Sequence, residues 1–175
     1  MRIAIFEGYF LCLLALLCST PALAQWDNLR VLGAAPTLTD DTGATMEMAA
    51  LVTKYDERIV GMAFVKNNVE VRFYMNLTTW DKLKQSLILA RDQWDTLKPT
   101  QFEQVASVKG YRIANKLGTL RVSFQGETAL AARRMIMAAS GGADKPKRAL
   151  VALKEENLKT VVDSLFKIDE YLRAR

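Results

Sequence analysis

The sequence predicts an α+β protein in which antiparallel strands pack against two helices. Two segments carry apolar residues three and four positions apart, which is the spacing of one face of an α-helix. Each segment follows runs in which apolar and polar residues alternate, as they do along a strand with one buried face. Strand-rich runs that each end in a helix are typical of α+β folds, whose helices pack on one face of the sheets.

The first 24 residues have the organisation of an export signal. Arg2 precedes the apolar run Phe10–Leu17, and Ala22-Leu23-Ala24 is a small-x-small cleavage site. The apolar run is shorter than the roughly 20 residues that a membrane span requires. We therefore expect residues 1–24 to be a cleaved signal peptide, the mature chain to begin at Gln25, and the protein to be periplasmic or secreted.

Both cysteines, Cys12 and Cys18, lie inside the predicted signal. The mature chain would then contain no disulfide and would depend on its hydrophobic core alone. A domain of about 150 residues can do so, because it buries roughly 70% of its unfolded surface. Secreted eukaryotic domains more often use disulfides, so this composition favours a bacterial periplasm. We expect residues 25–175 to form one compact, soluble domain with no transmembrane segment after cleavage.

Three strands are predicted in the first half of the mature chain, residues 26–97. Met46–Lys54 and Arg58–Lys66 flank a short polar turn, and Val69–Met75 alternates apolar with polar residues, which indicates one buried face. Asn67-Asn68 is predicted to join the last two strands as a tight hairpin, because Asn tolerates positive φ.

A helix is predicted after these strands, beginning near Thr78. Thr78 and Asp81 resemble a capping box, and Pro99 marks the end of the helical segment. The apolar face of this helix consists of Trp80, Leu83, Leu87, Ala90 and Trp94.

The second half, residues 98–175, contains further predicted strands at Lys109–Ala114 and Thr119–Phe124. The next segment, Glu127–Ser140, is ambiguous, because its alanines favour helix whereas its later residues fit a strand. We predict a strand over residues 133–139, because a repeat of the first half requires one.

The two halves are related by a constant offset in the sequence. Adding 78 to the apolar positions of the first helix gives Leu158, Val161, Leu165, Ile168 and Leu172. Adding it to the buried positions of the strand before that helix gives Lys147, Ala149, Val151 and Leu153, of which three are apolar. Two amphipathic helices can share such spacing through periodicity alone. Internal duplication of a unit of three or four strands and a helix is therefore a hypothesis.

The predicted order of elements is similar in topology to the Whirly-type fold, in which two units of four strands and a helix form a binder of single-stranded nucleic acid. The similarity extends over the mature chain. It implies an architecture and a candidate class of partner, but it assigns no site residue, because no motif of that family is matched.

The composition excludes several kinds of active site. The chain has no histidine, and the mature chain would have no cysteine, so a Ser-His-Asp triad, a thiolate nucleophile, a His-ligated zinc site and a c-type haem attachment are all excluded. The adjacent acidic pairs Asp40-Asp41 and Glu155-Glu156 point in divergent directions. Loop solvation and helix N-terminal charge explain these pairs better than catalysis. We predict no cofactor, and an enzyme that needs neither His nor Cys is an alternative.

Two Met-x-Met pairs, Met46 with Met48 and Met135 with Met137, leave a choice open. On a strand this spacing puts both sulfur atoms on one face. Thioethers select Cu(I), but the same geometry describes flexible core residues, which is the interpretation we favour. No metal site is predicted.

Charge is distributed unevenly along the chain. Residues 26–97 contain 8 basic and 10 acidic residues, whereas residues 98–175 contain 15 basic and 8 acidic residues, so the two halves carry net charges of −2 and +7. A basic face over the second sheet would attract nucleic acid, anionic glycans, lipid headgroups or an acidic protein. The alternative is an ordinary solvated surface. The candidate residues are Lys109, Arg112, Lys116, Arg121, Arg133, Arg134, Lys145, Lys147 and Arg148.

These observations together predict an exported, non-catalytic binding protein that acts on a macromolecular partner, either a protein or an anionic polymer. The first alternative is a nucleic-acid or polyanion binder that uses the basic second half. Nucleic acid is disfavoured as the partner because of export and because stacking aromatics are sparse in that half. The second alternative is the His- and Cys-independent enzyme.

Processing of the predicted signal is directly testable. Intact-mass analysis of the exported protein is expected to give a chain that begins at Gln25. A retained Met1, or a lipid attached to Cys18, would contradict the predicted cleavage.

Overall fold

Two antiparallel sheets, each followed in the chain by a helix, form the fold, which confirms the predicted α+β class. A computed structural model describes residues 26, 28–96, 102–103, 118–125, 133–141 and 147–174. The predicted signal peptide and the predicted strand Lys109–Ala114 lie outside the described residues. Among the described residues, no helix is both long enough and apolar enough to cross a bilayer.

The first sheet has the strand order β1-β3-β4-β5, with the short strand β2 paired to β3, and it leads into helix α1. Every pairing in this sheet is antiparallel. The elements are β1 (Arg30–Ala34), β2 (Leu38–Thr39), β3 (Thr45–Val52), β4 (Arg58–Lys66), β5 (Val69–Met75) and α1 (Leu77–Asp92).

The second sheet has the strand order β6-β7-β8-β9, again antiparallel throughout, and it leads into helix α2. Strand β8 covers the predicted strand over residues 133–139 except for its first residue, Arg133, whereas residues 127–132 lie outside the described part. The elements are β6 (Phe102–Glu103), β7 (Gly118–Gln125), β8 (Arg134–Gly141), β9 (Lys147–Leu153) and α2 (Glu155–Arg173).

The β4–β5 hairpin forms as predicted. Asn67 and Asn68 have φ angles of 48° and 62°, and they connect the paired residues Lys66 and Val69. Two successive positive φ angles match the right-handed twist of the flanking strands and are typical of a two-residue hairpin. The turn therefore gives the hairpin a defined register.

The predicted start of helix α1 is wrong by two residues. The N-cap is Asn76 and not Thr78, because the Asn76 Oδ1 atom accepts a hydrogen bond of 2.9 Å from the backbone N–H of Thr79. Asn caps a helix as well as Ser does and satisfies one of the free N–H groups of the first turn. The helix ends at Asp92. Trp94, which was predicted to belong to its apolar face, therefore lies just beyond the helix, and it is buried there.

The start of helix α2 carries the acidic pair Glu155 and Glu156 in its first turn. Negative side chains at this position interact favourably with the helix dipole, which confirms the structural interpretation of this pair. The Asn157 Oδ1 atom also accepts a hydrogen bond of 3.3 Å from the backbone N–H of Lys154, the N-cap residue.

One hydrophobic core is shared by both sheets and both helices. The predicted faces of the two helices enter it. Leu83, Leu87, Val161 and Leu165 are each at most 1% exposed. The four paired methionines, Met46, Met48, Met135 and Met137, also belong to this core and are at most 3% exposed, so they pack as apolar side chains.

The first sheet is buried on both faces, which corrects the expectation that β5 buries only one. Tyr74, on the face that was expected to be exposed, is 1% exposed and makes an edge-to-face contact with Trp26. Leu51 and Ile59 belong to the same second cluster. Gly61 makes room for Trp26, because a Cβ atom at Gly61 would overlap the indole ring.

Helix α2 follows the second sheet in the chain but also packs on the first. The ring of Tyr171 lies directly on Gly33 of β1, where any side chain would collide with it. Arg58, at the start of β4, donates a hydrogen bond to the carbonyl of Leu172 near the C-terminal end of α2. A cation at this end of a helix interacts favourably with its dipole.

The two helices are joined by a polar cluster centred on Asp169. The Trp80 Nε1 atom donates a hydrogen bond of 2.7 Å to Asp169 Oδ1, and Lys84 pairs with both Asp169 and Asp81. Burial alone would lower the pKa of Lys84, but the hydrogen bonds and charges of Asp169 and Asp81 outweigh it, so the pKa is raised. The charged form of Lys84 is therefore stabilised between the helices.

The sequence offset between the two halves agrees with part of the structure. Strand β9 begins at the predicted offset from β5, and helix α2 begins at the same offset from α1. Strand β8, in contrast, begins at a shorter offset from β4. The last strand and the helix of each half therefore correspond at a constant offset, and the earlier strands do not. Duplication and the similarity to the Whirly-type fold stay hypotheses.

Truncation of the helix cores tests this packing. Leu87→Ala and Leu165→Ala are each expected to lower the free energy of unfolding by about 2–5 kcal/mol, because both leucines are fully buried. Leu89→Ala is the matched control, since Leu89 is 50% exposed on α1, and its loss should stay below about 0.5 kcal/mol. Urea unfolding measures all three. Equal losses at Leu87 and Leu89 would contradict the assigned helix face.

Candidate anion-binding groove

A groove of about 430 Å³ lies between the β4–β5 hairpin and the second sheet, and its lining combines outward-facing residues of that sheet with the buried Ala139 and Ala149. The hairpin contributes Lys66, Asn67 and Val69. The sheet contributes residues of β7, β8 and β9. The groove therefore combines a hairpin from the first half of the chain with three strands from the second.

Three cations line this groove: Lys66 from the hairpin, Arg121 from β7 and Arg148 from β9. No Asp or Glu is present among its described lining residues. Within the described part of the chain, none of the three cations forms an ion pair. The described lining is thus a concave surface of one charge sign, and such a surface concentrates anions.

Strand alternation puts the two arginines on the outer face. Leu120 and Val122, the neighbours of Arg121, are at most 5% exposed in the core, so Arg121 must point the other way. Arg148 precedes the buried Ala149 in the same manner. Leu120, Val122 and Phe124 are buried and alternate with polar residues, which confirms the predicted strand Thr119–Phe124.

The pairing register places the arginines in adjacent rows across the sheet. Arg121 is opposite Ala138, which is opposite Leu150. Thr119 is opposite Ser140, which is opposite Arg148. Two interstrand spacings and an offset of two residues put the Cα atoms of the arginines about 12 Å apart. Their guanidinium groups can therefore bind separate anionic groups.

Neutral polar groups lie between the cations. The Thr119 and Ser140 hydroxyl groups are hydrogen-bonded to each other on the floor of the groove. Asn67 presents an amide from the tip of the hairpin. One of the two hydroxyl protons is used in the mutual bond, so the pair keeps one donor and several lone pairs for a ligand.

Asp40 fixes the position of the first sheet relative to β9. It is 6% exposed, and its Oδ2 atom accepts a hydrogen bond of 2.9 Å from the backbone N–H of Ala152 on the edge of β9. Its Oδ1 atom accepts hydrogen bonds from Thr42 and Ala44 within its own turn. Asp40 thus links the β2–β3 turn to the strand that carries Arg148.

These hydrogen bonds determine the ionisation of Asp40. Burial alone would raise its pKa, but the hydrogen bonds from Ala152, Thr42 and Ala44 outweigh burial, so the pKa lies below its usual value of 3.8. Asp40 is therefore a structural anion, and its role differs from the loop solvation expected from the sequence.

Two other basic residues predicted from the sequence make structural contacts: Arg134 contacts the β2–β3 turn, and Arg133 contacts residues of the core. Arg134 lies 3.7 Å from Asp41, which also pairs with Lys154 at 2.6 Å. Arg133 donates a hydrogen bond of 2.9 Å to the carbonyl of Trp94, and its guanidinium lies over the ring of Phe124. The side chains of Arg133 and Arg134 therefore point to opposite faces of the second sheet.

The remaining basic candidates are Lys147, which belongs to the described part of the chain, and four residues outside it. Lys147 is exposed at the first position of β9 and does not line the groove. Lys66 and Asn67 were not predicted as site residues from the sequence, because both belong to the first half of the mature chain, whose net charge is negative. The residues that lie outside the described part are Lys109, Arg112, Lys116 and Lys145.

The described residues contain no group of three or more His, Cys, Asp or Glu side chains that could hold a metal ion. The methionine pairs are packed in the core. The chemistry of the groove is therefore that of cations, hydroxyls and an amide.

The pH dependence of stability tests the role of Asp40. Its folded-state pKa is lowered, so its contribution is present above the unfolded value and is lost as the pH falls through the folded value. At pH 7, Asp40→Asn is expected to cost about 1–3 kcal/mol, because it disrupts a buried hydrogen-bond network. Urea unfolding should show this difference shrinking below about pH 4.

Asp41→Asn is the control for this measurement, since the Asp41 side chain is 57% exposed and its ion pairs lie at the surface. Its cost should stay below about 1 kcal/mol. Equal costs for the two variants at pH 7 would contradict the structural role of Asp40.

Comparisons with known proteins do not assign a family. No model of a protein family matches this chain, and no curated protein is significantly similar to it.

Proposed function

We propose that this chain is an exported, non-catalytic binding protein that recognises an anionic macromolecule in the groove between the β4–β5 hairpin and the second sheet. The observation that carries the proposal is the convergence of Lys66, Arg121 and Arg148 on one concave surface without a carboxylate in its described lining. Polyanions bind such surfaces by releasing counterions, so the cations contribute directly to affinity.

The contrast with the rest of the surface supports a binding role. Several basic side chains elsewhere form ion pairs with acidic ones, as in the pairs Arg30 with Asp56, Arg72 with Glu70 and Lys159 with Glu155. An ordinary protein surface intersperses the two signs in this way. Three cations held together in a groove repel one another, and a bound anion would relieve that repulsion.

The groups in the groove favour binding over catalysis. The chain has no histidine, and the described lining offers no carboxylate that could act as a general base. The Thr119 and Ser140 hydroxyls bind each other, so neither is paired with a base that would activate it as a nucleophile. Cations and neutral hydrogen-bonding groups are sufficient for recognition.

The proposed location is the bacterial periplasm, with residues 1–24 removed as a signal peptide. The support is the charged start, the short apolar run and the small-x-small site of that segment. The anionic macromolecule would then be one present outside the cytoplasm.

Charge removal in the groove tests the proposal. The double variant Arg121→Gln with Arg148→Gln is expected to weaken binding of a heparin chain at low salt by at least about tenfold. The slope of log K against log salt concentration should also become shallower by about one to two, because two ionic contacts are lost. Fluorescence titration of the labelled chain at several salt concentrations measures both quantities.

The matched control is Lys82→Gln with Lys167→Gln, which removes the same charge from exposed positions on the two helices. Arg133 and Arg134 are unsuitable for this test, because they hold Trp94 and Asp41. Absence of binding at low salt, or equal losses in the two double variants, would contradict the proposed function.

A further inference from the structure

We infer that the anionic macromolecule is an acidic glycan, a polysaccharide that carries carboxylate or sulfate groups, and not a nucleic acid. This inference rests on the proposed function and concerns the same groove. Three observations support it. Neutral hydrogen-bonding groups lie beside the cations, the described lining has no aromatic side chain on which bases could stack, and small residues form the floor of the groove.

The neutral groups supply acceptors as well as donors. Asn67 offers an amide oxygen, and the Thr119–Ser140 hydroxyl pair keeps several lone pairs after its mutual hydrogen bond. A phosphodiester backbone can use only donors, because its phosphate oxygens are acceptors. Sugar hydroxyls both donate and accept, so a glycan can use every polar group of the groove.

The described lining has no aromatic side chain. Binders of single-stranded nucleic acid commonly stack bases on aromatic residues, at about 1–3 kcal/mol per base. Phe124 and Trp94 are at most 4% exposed, where they pack edge to face. The exposed aromatics Tyr55 and Phe166 lie in the β3–β4 turn and on α2, outside the groove.

The floor of the groove suits a chain of sugar rings. Ala138 lies between Arg121 and Leu150 in the pairing register. Its small side chain therefore separates the Arg121 cation from the partly exposed apolar side chain of Leu150. Val69 adds apolar surface from the hairpin side. The C–H faces of sugar rings can lie on these residues while their acidic groups reach the arginines.

Replacement of Asn67 separates glycan binding from general polyanion binding. Asn67→Gly removes the amide, and glycine adopts the positive φ of this position without strain. Asn68→Gly is the matched control, because Asn68 shares the turn and the positive φ but does not line the groove. The probes are heparin fragments, oligogalacturonates, oligothymidylate and polyglutamate of equal total charge, each titrated by calorimetry.

We expect heparin fragments or oligogalacturonates to bind at least about tenfold more tightly than oligothymidylate of the same charge. Asn67→Gly should weaken the glycan three- to tenfold, consistent with the loss of about one hydrogen bond, and should weaken oligothymidylate by less, because phosphate oxygens can use only the amide N–H donors of Asn67. Asn68→Gly should change neither. Equal or tighter binding of oligothymidylate overturns the inference in favour of nucleic acid, and tightest binding of polyglutamate overturns it in favour of an acidic protein.

These failures are distinct from failure of the proposed function. If oligothymidylate or polyglutamate binds best and loses affinity when Arg121 and Arg148 are changed, the groove is an anion site and only the glycan assignment is wrong. If none of the four probes binds at low salt, the proposed function and the glycan assignment are both wrong.

Discussion

Alternation of side chains between the two faces of β7, β8 and β9 is the constraint on which the candidate site depends. The core requires Leu120, Val122 and Phe124 on the inner face, so Thr119 and Arg121 must lie on the outer one. A shift of one residue in this register would bury an arginine and expose the core residues, which would strongly destabilise the folded state. The same hydrophobic pattern that stabilises the second sheet therefore positions its cations.

The two sheets contribute differently to the groove. Trp26, Tyr74 and Leu51 bury the second face of the first sheet, whereas Arg121 and Arg148 lie on the outer face of the second. The first sheet contributes its β4–β5 hairpin to the lining of the groove. The hydrogen bond from the Ala152 N–H to Asp40 joins the β2–β3 turn of the first sheet to the edge strand β9, which carries Arg148.

Much of the fold could be predicted from periodicity, but the contribution of the hairpin to the groove could not. The strands at Arg58–Lys66 and Val69–Met75, the Asn67-Asn68 turn and the buried helix faces follow from local patterns, and Arg121 and Arg148 follow from alternation and charge. Lys66 joins them only through packing between sheets, which no local pattern encodes. Strand β1 was missed because it is an edge strand with a register shift between Val31 and Gly33, so its burial does not alternate.

The central claim is that an anionic chain binds in the groove between the β4–β5 hairpin and the second sheet. The most direct measurement is the change in backbone amide NMR shifts as a heparin fragment is added to the labelled protein at low salt. We expect the largest changes at residues 66–69, 119–121 and 148–150, with little change along α1. Changes concentrated on the helices or at the β3–β4 turn, with the hairpin unaffected, would contradict this claim.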